Sequence, residues 1–213
     1  MQTQRTAWNS AADAYNSLHE DGSSLIGLGQ REILARLGDV AGLQILEIGC
    51  GSGKGCVALA RQGAQVTGVD VSDAQLALAR QRAEAAGVQV RLLQGDGAAL
   101  SPLSAAHFDA IIANFSLLYI DDMAACLAEC TRLLRPGGRL IFAQDHPIRA
   151  CFWDAEMEEE SVLPARSYFD DTPLEWTYTG TDVAMRSFHR TLAWWFSSLH
   201  EAGFTVTYLR ELP

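Results

Sequence analysis

From about residue 44 onward, short and mostly apolar runs alternate with longer stretches whose apolar positions recur at helical spacing. The runs predict strands at Gln44–Ile48, Gln65–Asp70, Val88–Gln94, Phe108–Asn114, Arg139–Gln144 and Phe204–Leu209. Most are continuous enough to be buried on both faces, as strands of a parallel sheet are. The stretches between them predict helices over Gly53–Gln62, Asp73–Ala86, Asp121–Leu134 and Ser187–Ala202. Two more helices are predicted ahead of the first strand, at Ala7–Leu18 and Ser24–Leu37. Strand and helix patterns in alternation mean an α/β fold built on a parallel, doubly wound sheet. Ser72 or Asp73 is placed to cap the helix that follows, and Gly87 to end it. Arg135-Pro-Gly-Gly138 reads as a helix stop and turn.

The candidate chemistry begins where the first strand ends, in Ile45-Leu-Glu-Ile-Gly-Cys-Gly-Ser-Gly-Lys-Gly55. Glycines in such a loop allow positive φ and let a ligand lie against the backbone. The second strand ends in Asp70, near the ~20-residue offset at which an acid meets a ribose diol. The dinucleotide fingerprint Gly-x-Gly-x-x-Gly fails, because its last position is Lys54 in one register and Cys56 in the other. A phosphate-binding P-loop fails too, since Ile48 stands where its first glycine belongs. The Glu-x-Gly-x-Gly-x-Gly arrangement instead resembles motif I of the class I S-adenosylmethionine-dependent methyltransferases.

Further segments carry the same resemblance. Gln94-Gly-Asp-Gly97 closes the third strand, and His107-Phe-Asp-Ala-Ile-Ile-Ala-Asn-Phe-Ser-Leu-Leu118 forms the fourth strand and its exit loop. Leu133-Leu-Arg-Pro-Gly-Gly-Arg-Leu-Ile-Phe142 is similar to the family's next helix–turn–strand segment. The resemblance implies a Rossmann-like, mostly parallel sheet and S-adenosyl-L-methionine as cofactor. The implied cofactor residues are Glu47, Gly49, Cys50, Gly51 and Gly53 in the loop, with Asp70 and Val71 at the ribose. Asp96 and Gly97 would meet the adenine, although Asp96 in a glycine turn also reads as a plain Asx-turn. Asn114, Phe115 and Ser116 would border the methionine end. Trp8 and Tyr15 resemble an N-terminal cover segment that places Tyr15 near the cofactor; a short helix packed on the sheet edge is the plainer alternative.

Length and composition set bounds on this picture. A chain of 213 residues suggests one domain, 1–213, with 1–40 as a helical cover. A net charge of −10 argues against sequence-independent binding of nucleic acid. No long apolar run suggests a membrane span, and the N-terminus does not read as a signal peptide. Five cysteines without a Cys-x-x-Cys read as reduced thiols of a cytoplasmic protein. No cluster has metal-ligand spacing, and Ser52 is not in a nucleophile elbow. Asn-Phe-Ser-Leu after the fourth strand departs from the Asn/Asp-Pro-Pro-Tyr/Phe of methyltransferases acting on base nitrogens.

The methyl acceptor is expected to meet the long segment 145–186, an insert of neither helical nor strand pattern that reads as a lid. It is rich in aromatics, including Tyr168, Trp176 and Tyr178, and carries the acidic run Asp154–Glu160. That run is either a solvated face or a lure for a cationic amine. Tyr168, His146 after the fifth strand and His189 opening the last helix are the candidate catalytic residues. Each histidine serves either as proton acceptor or as structural hydrogen-bonder. The expected function is methyl transfer to an O, N or C atom of a small molecule, by a monomer or homodimer. The alternatives are a catalytically silent module of the same fold and, more remotely, a nicotinamide oxidoreductase. The family's sheet usually ends in an antiparallel hairpin. Here Glu211-Leu-Pro213 follows the sixth run and reads as a connection broken off before a seventh strand.

Overall fold

In the computed structural model, residues 2–19, 24–154, 159–160 and 163–211 are described. Two helices, α1 (Gln2–Leu18) and α2 (Leu25–Leu37), precede the sheet. Then β1 (Gln44–Ile48), α3 (Lys54–Arg61), β2 (Gln65–Asp70), α4 (Asp73–Ala85) and β3 (Arg91–Gln94) follow in alternation. After them come β4 (Phe108–Asn114), α5 (Met123–Leu133) and β5 (Leu134–Ala143). The five strands lie in the order β3-β2-β1-β4-β5, every pairing parallel. The order reverses between β1 and β4, and ligands of open parallel sheets bind at such a reversal, beyond the strands' carboxyl ends.

Burial follows from the pattern. Ile45, Leu46, Ile111 and Ile112 are fully buried, because both faces of the central strands carry helices. One face packs Ile33 and Leu37 of α2 with Cys56 and Leu59 of α3. The other packs Met123, Leu127 and Leu133 of α5 with Trp195 and Leu199 of α6 (Leu192–Glu201). Ser72 caps α4 through its hydroxyl, which accepts from Gln75 N–H at 3.1 Å. The 135–138 turn is absorbed into β5: Leu134 pairs with Phe108, the chain bulges out, and pairing resumes at Arg139.

Beyond β5 the structure departs from the sequence pattern. Residues 204–211 form no strand, so the expected sixth strand Phe204–Leu209 is absent. Phe204, Val206 and Tyr208 alternate as a strand would, yet Phe204 is only half-buried and the other two are exposed. The tail is fastened by side chains instead: Arg36 lies over the Tyr208 ring at 4.1 Å, Arg210 meets Glu32 at 2.9 Å, and Glu211 meets His146 at 2.8 Å.

The 145–186 segment is more regular than its sequence suggests. It holds a 3₁₀ turn (Pro147–Phe152), the short pair β6 (Trp153–Asp154) and β7 (Glu159–Glu160), and an antiparallel hairpin of β8 (Leu174–Thr177) with β9 (Ala184–Ser187). The central residues of the acidic run, 155–158, lie outside the described residues. Tyr178 and Met185 pack with Ala7 and Ala11 of α1, so the hairpin backs the N-terminal helix.

Candidate functional site

A cleft of about 860 Å³, partly open to solvent, lies where the carboxyl ends of β1 to β4 meet α1. Gly49 and Gly51 line it, and both need positive φ, +68° and +51°. A Cβ on Gly49 would come within 2.3 Å of Ser116 Cβ, so a side chain there would push away the loop after β4. One on Gly51 would meet nothing nearer than Gln75 Oε1 at 3.8 Å, so that position opens onto the cleft.

Asp70 ties the floor together. Its Oδ2 accepts from Gly51 N–H at 2.8 Å and its Oδ1 from Ser72 N–H at 2.9 Å. Burial raises its pKa, and the backbone donors of Ser72, Gly51 and Val71 pull against that rise. The carboxylate keeps lone-pair capacity for a further donor. Val71, Asp96 and Gly97 line the neighbouring wall. Asp96 Oδ1 accepts from Ala98 N–H at 2.9 Å, so the Asx-turn forms and the residue still faces the cleft.

Asn114, Phe115 and Ser116 form the next wall, with Tyr15 of α1. Ser116 Oγ donates to Ile48 O at 2.6 Å, pinning the loop to the end of β1. Phe115 adopts φ +52°, a conformation that costs a non-glycine residue about 1–2 kcal/mol and collects at functional sites.

Other expected residues sit elsewhere. Glu47 lies beneath the loop, where its Oε2 accepts from Cys56 Sγ at 3.0 Å, and burial pushes its pKa up to about 7. Cys50 is buried beside Cys56. Gly53 packs on α4, where a Cβ would lie 2.9 Å from Ala79 Cβ. None of these three lines the cleft. Neither do the expected catalytic residues. His189 is buried with Nε2 2.8 Å from Tyr168 O, and Tyr168 Oη accepts from Leu192 N–H at the start of α6. His146 Nδ1 accepts from Ile148 N–H, while its Nε2 faces Glu211. Their polar atoms hold the fold together.

Several lining residues had no motif to announce them: Gln4 and Gln75 on helices, and Tyr119, Ile120 and Asp121 past β4. The last three stood in reach of sequence reasoning, since they directly continue the ligand-side loop after Ser116. Their turn is fixed through its carbonyls. Phe188 N–H donates to Leu118 O at 2.8 Å, and Gln4 Nε2 to Tyr119 O at 3.2 Å. Arg190 Nη2 donates to Ile120 O at 2.5 Å and to Asp121 O at 3.1 Å. Arg190→Ala is expected to lower stability by roughly 1.5–3 kcal/mol, the value of hydrogen bonds from a charged donor. Urea unfolding would check this. A loss within experimental error would show that the turn holds itself.

With this geometry in view, likeness to other proteins is informative. Residues 46–142 match the model of a methyltransferase domain family. An O-methyltransferase of Aspergillus nomiae is 41% identical over 180 residues, covering 83% of this chain and 70% of its own. The chain belongs to the class I S-adenosylmethionine-dependent methyltransferase family. The crystal structure of an S-adenosylmethionine-dependent methyltransferase from Mesorhizobium loti superposes with TM-score 0.69 at 28% identity, over 85% of this chain and 83% of that one. A ubiquinone biosynthesis O-methyltransferase of Alkalilimnicola ehrlichii is 38% identical over 50% of this chain and 43% of its own. The methyltransferase chain thus spans under half the length of several curated relatives that it matches.

The cofactor of this methyltransferase is S-adenosyl-L-methionine, and the cleft fits such a molecule. It offers a buried carboxylate for a diol, a half-buried one for an amino group, and an open glycine backbone. No Lys, Arg or His lines it among the described residues. No helix among the described residues is long and apolar enough to cross a membrane.

Proposed function

We propose that this chain transfers the methyl group of S-adenosyl-L-methionine to a hydroxyl oxygen of a small molecule. The observation that carries the reading is the Asp70 carboxylate, held by the Gly51 and Ser72 amides at the end of β2 inside the cleft. Asp70 holds the ribose diol, Asp96 and Gly97 the adenine edge, and Gly49 and Gly51 the backbone side of the methionine tail. Tyr15 and Trp8 close the cleft from α1. The choice of oxygen is supported by the names of the curated relatives, which are O-methyltransferases.

When bound, the cofactor supplies an electrophilic methyl on a sulfonium, and the products are a methyl ether, a thioether and the acceptor's proton. The chain's part is to hold the acceptor in line and exclude water, which can supply ~7–11 kcal/mol of rate acceleration. The insert backs α1 and thereby steadies the cleft's outer wall. A cytoplasmic monomer or homodimer belongs to the same reading. Incubation with a pool of hydroxylated metabolites and isotope-labelled S-adenosyl-L-methionine should give a labelled methyl ether. Label appearing only on amines or carbon, or nowhere despite cofactor binding, would overturn the assignment.

A further inference from the structure

We infer that Asn9 of α1 is a positioning residue for the cofactor: it caps α4 from outside and thereby fixes the turn that carries Asp70. The inference rests on the reading of Asp70 as the partner of the ribose diol.

Helix α4 starts at Asp73, three residues past Asp70, and the first amides of any helix lack partners within it. Ser72 Oγ accepts from Gln75 N–H at 3.1 Å. That leaves the Ala74 amide and the hydroxyl's own hydrogen to be satisfied. Asn9, 63 residues upstream of Ser72, takes both: its Oδ1 accepts from Ser72 Oγ at 2.7 Å and from Ala74 N–H at 3.2 Å. A backbone amide only donates, so the oxygen of the Asn9 side chain, not its nitrogen, is the atom that faces α4. The Ser72 N–H in turn donates to Asp70 Oδ1 at 2.9 Å. One residue, Ser72, therefore joins the ribose acid to α1. Asn9 does not line the cleft itself and acts through Ser72.

A second bond supports the first. Seven residues further along α1, Asn16 Nδ2 donates to Gln75 Oε1 at 3.1 Å. Residues seven apart share a helix face, so α1 meets α4 along a polar seam. Directional bonds set its register, where apolar contact alone would let the helix slide. The same helix brings Trp8 and Tyr15 to the cleft. Asn9 thus sets the distance from Asp70 to the cleft's outer wall. Coupling of this kind runs in both directions: a ligand on Asp70 also holds α1.

The test is a double-mutant cycle in binding of S-adenosylhomocysteine, read by calorimetry, with unfolding midpoints to establish that each protein folds. Asn9→Leu keeps the approximate size of the side chain and removes its acceptor. It is expected to weaken binding about three- to tenfold in the parent, the scale of one lost cap. Beside Asp70→Ala the same change should cost less than about twofold, because its route to the ligand is gone. If leucine does not fit and the protein fails to fold, Asn9→Ala carries the same cycle.

Hydrogen exchange supplies the second reading. S-adenosylhomocysteine should slow exchange of the α1 amides in the parent and not in Asn9→Leu. Asn9→Asp should restore that protection, since a carboxylate oxygen accepts from both donors and suits a helix N-terminus. Parental affinity in Asn9→Leu, an equal loss in both backgrounds, or α1 exchange indifferent to the ligand in the parent would each overturn the inference. A parent that does not bind S-adenosylhomocysteine, or undiminished affinity in Asp70→Ala, would instead overturn the reading of the site beneath it.

Discussion

Asp70→Ala is expected to weaken binding of S-adenosyl-L-methionine, or of its demethylated product, by roughly ten- to 150-fold. That corresponds to about 1.5–3 kcal/mol, the value of hydrogen bonds to a charged group. The variant loses the diol's partner and also frees the Gly51 and Ser72 amides that the carboxylate orients. Asp70→Asn keeps an oxygen for one amide and should fall between the two. Calorimetry reads all three proteins directly. An unchanged affinity in Asp70→Ala would show that the ribose is held elsewhere.

The second large effect belongs to Glu47 and appears in stability. Its folded pKa is about 7 against an ordinary 4.5, with desolvation as the main cause. Between those values the folded state keeps a proton that the unfolded state has released. Stability therefore falls as pH rises from about 4.5 to about 7 and stays at the lower level above. The difference is worth roughly 3 kcal/mol. Glu47→Gln keeps the shape and an oxygen for Cys56 Sγ but has no charge to desolvate. Its stability without cofactor should vary less between about pH 5 and pH 8 and exceed that of the parent at the upper end. Asp70 is raised by the same burial and leaves a residual slope of the same sign in the variant. Denaturant unfolding across that range decides the matter: parallel profiles for the two proteins would mean that Glu47 is ionised throughout.

The parallel sheet was legible because buried strands must be apolar on both faces and are punctuated by glycine turns. Gly49, Gly51, Asp70 and Asp96 were reached through the resemblance to the family's motifs, and all four line the cleft. Phe204–Leu209 misled because alternation records only a propensity; a strand needs a hydrogen-bonding neighbour, and among the described residues 204–211 pair with no strand. The hairpin of β8 and β9 was missed for the opposite reason. Its short strands carry few apolar residues, and Tyr178 and Met185 are buried only because α1 lies against them. His146 and His189 were chosen from chain position near the sheet's ligand-facing end. Position does not reveal direction, and His189 turns away to the Tyr168 carbonyl. Gln4 and Tyr119 belong to the cleft through an encounter between α1 and the loop after β4, which local pattern does not encode.

The turn from Leu117 to Asp121 is gripped by its backbone: Leu118, Tyr119, Ile120 and Asp121 each offer a carbonyl to a donor from α1 or from the segment after β9. Such a grip ignores side-chain identity. The residues at 119, 120 and 121 can therefore be exchanged while the main chain keeps its path, as loops on a rigid scaffold generally allow. For laboratory evolution this makes the turn the natural place to randomise. A library confined to those positions would re-line the acceptor wall without touching Gly49, Gly51, Asp70 or Asp96, so new acceptors could be sought at little cost to the cofactor half.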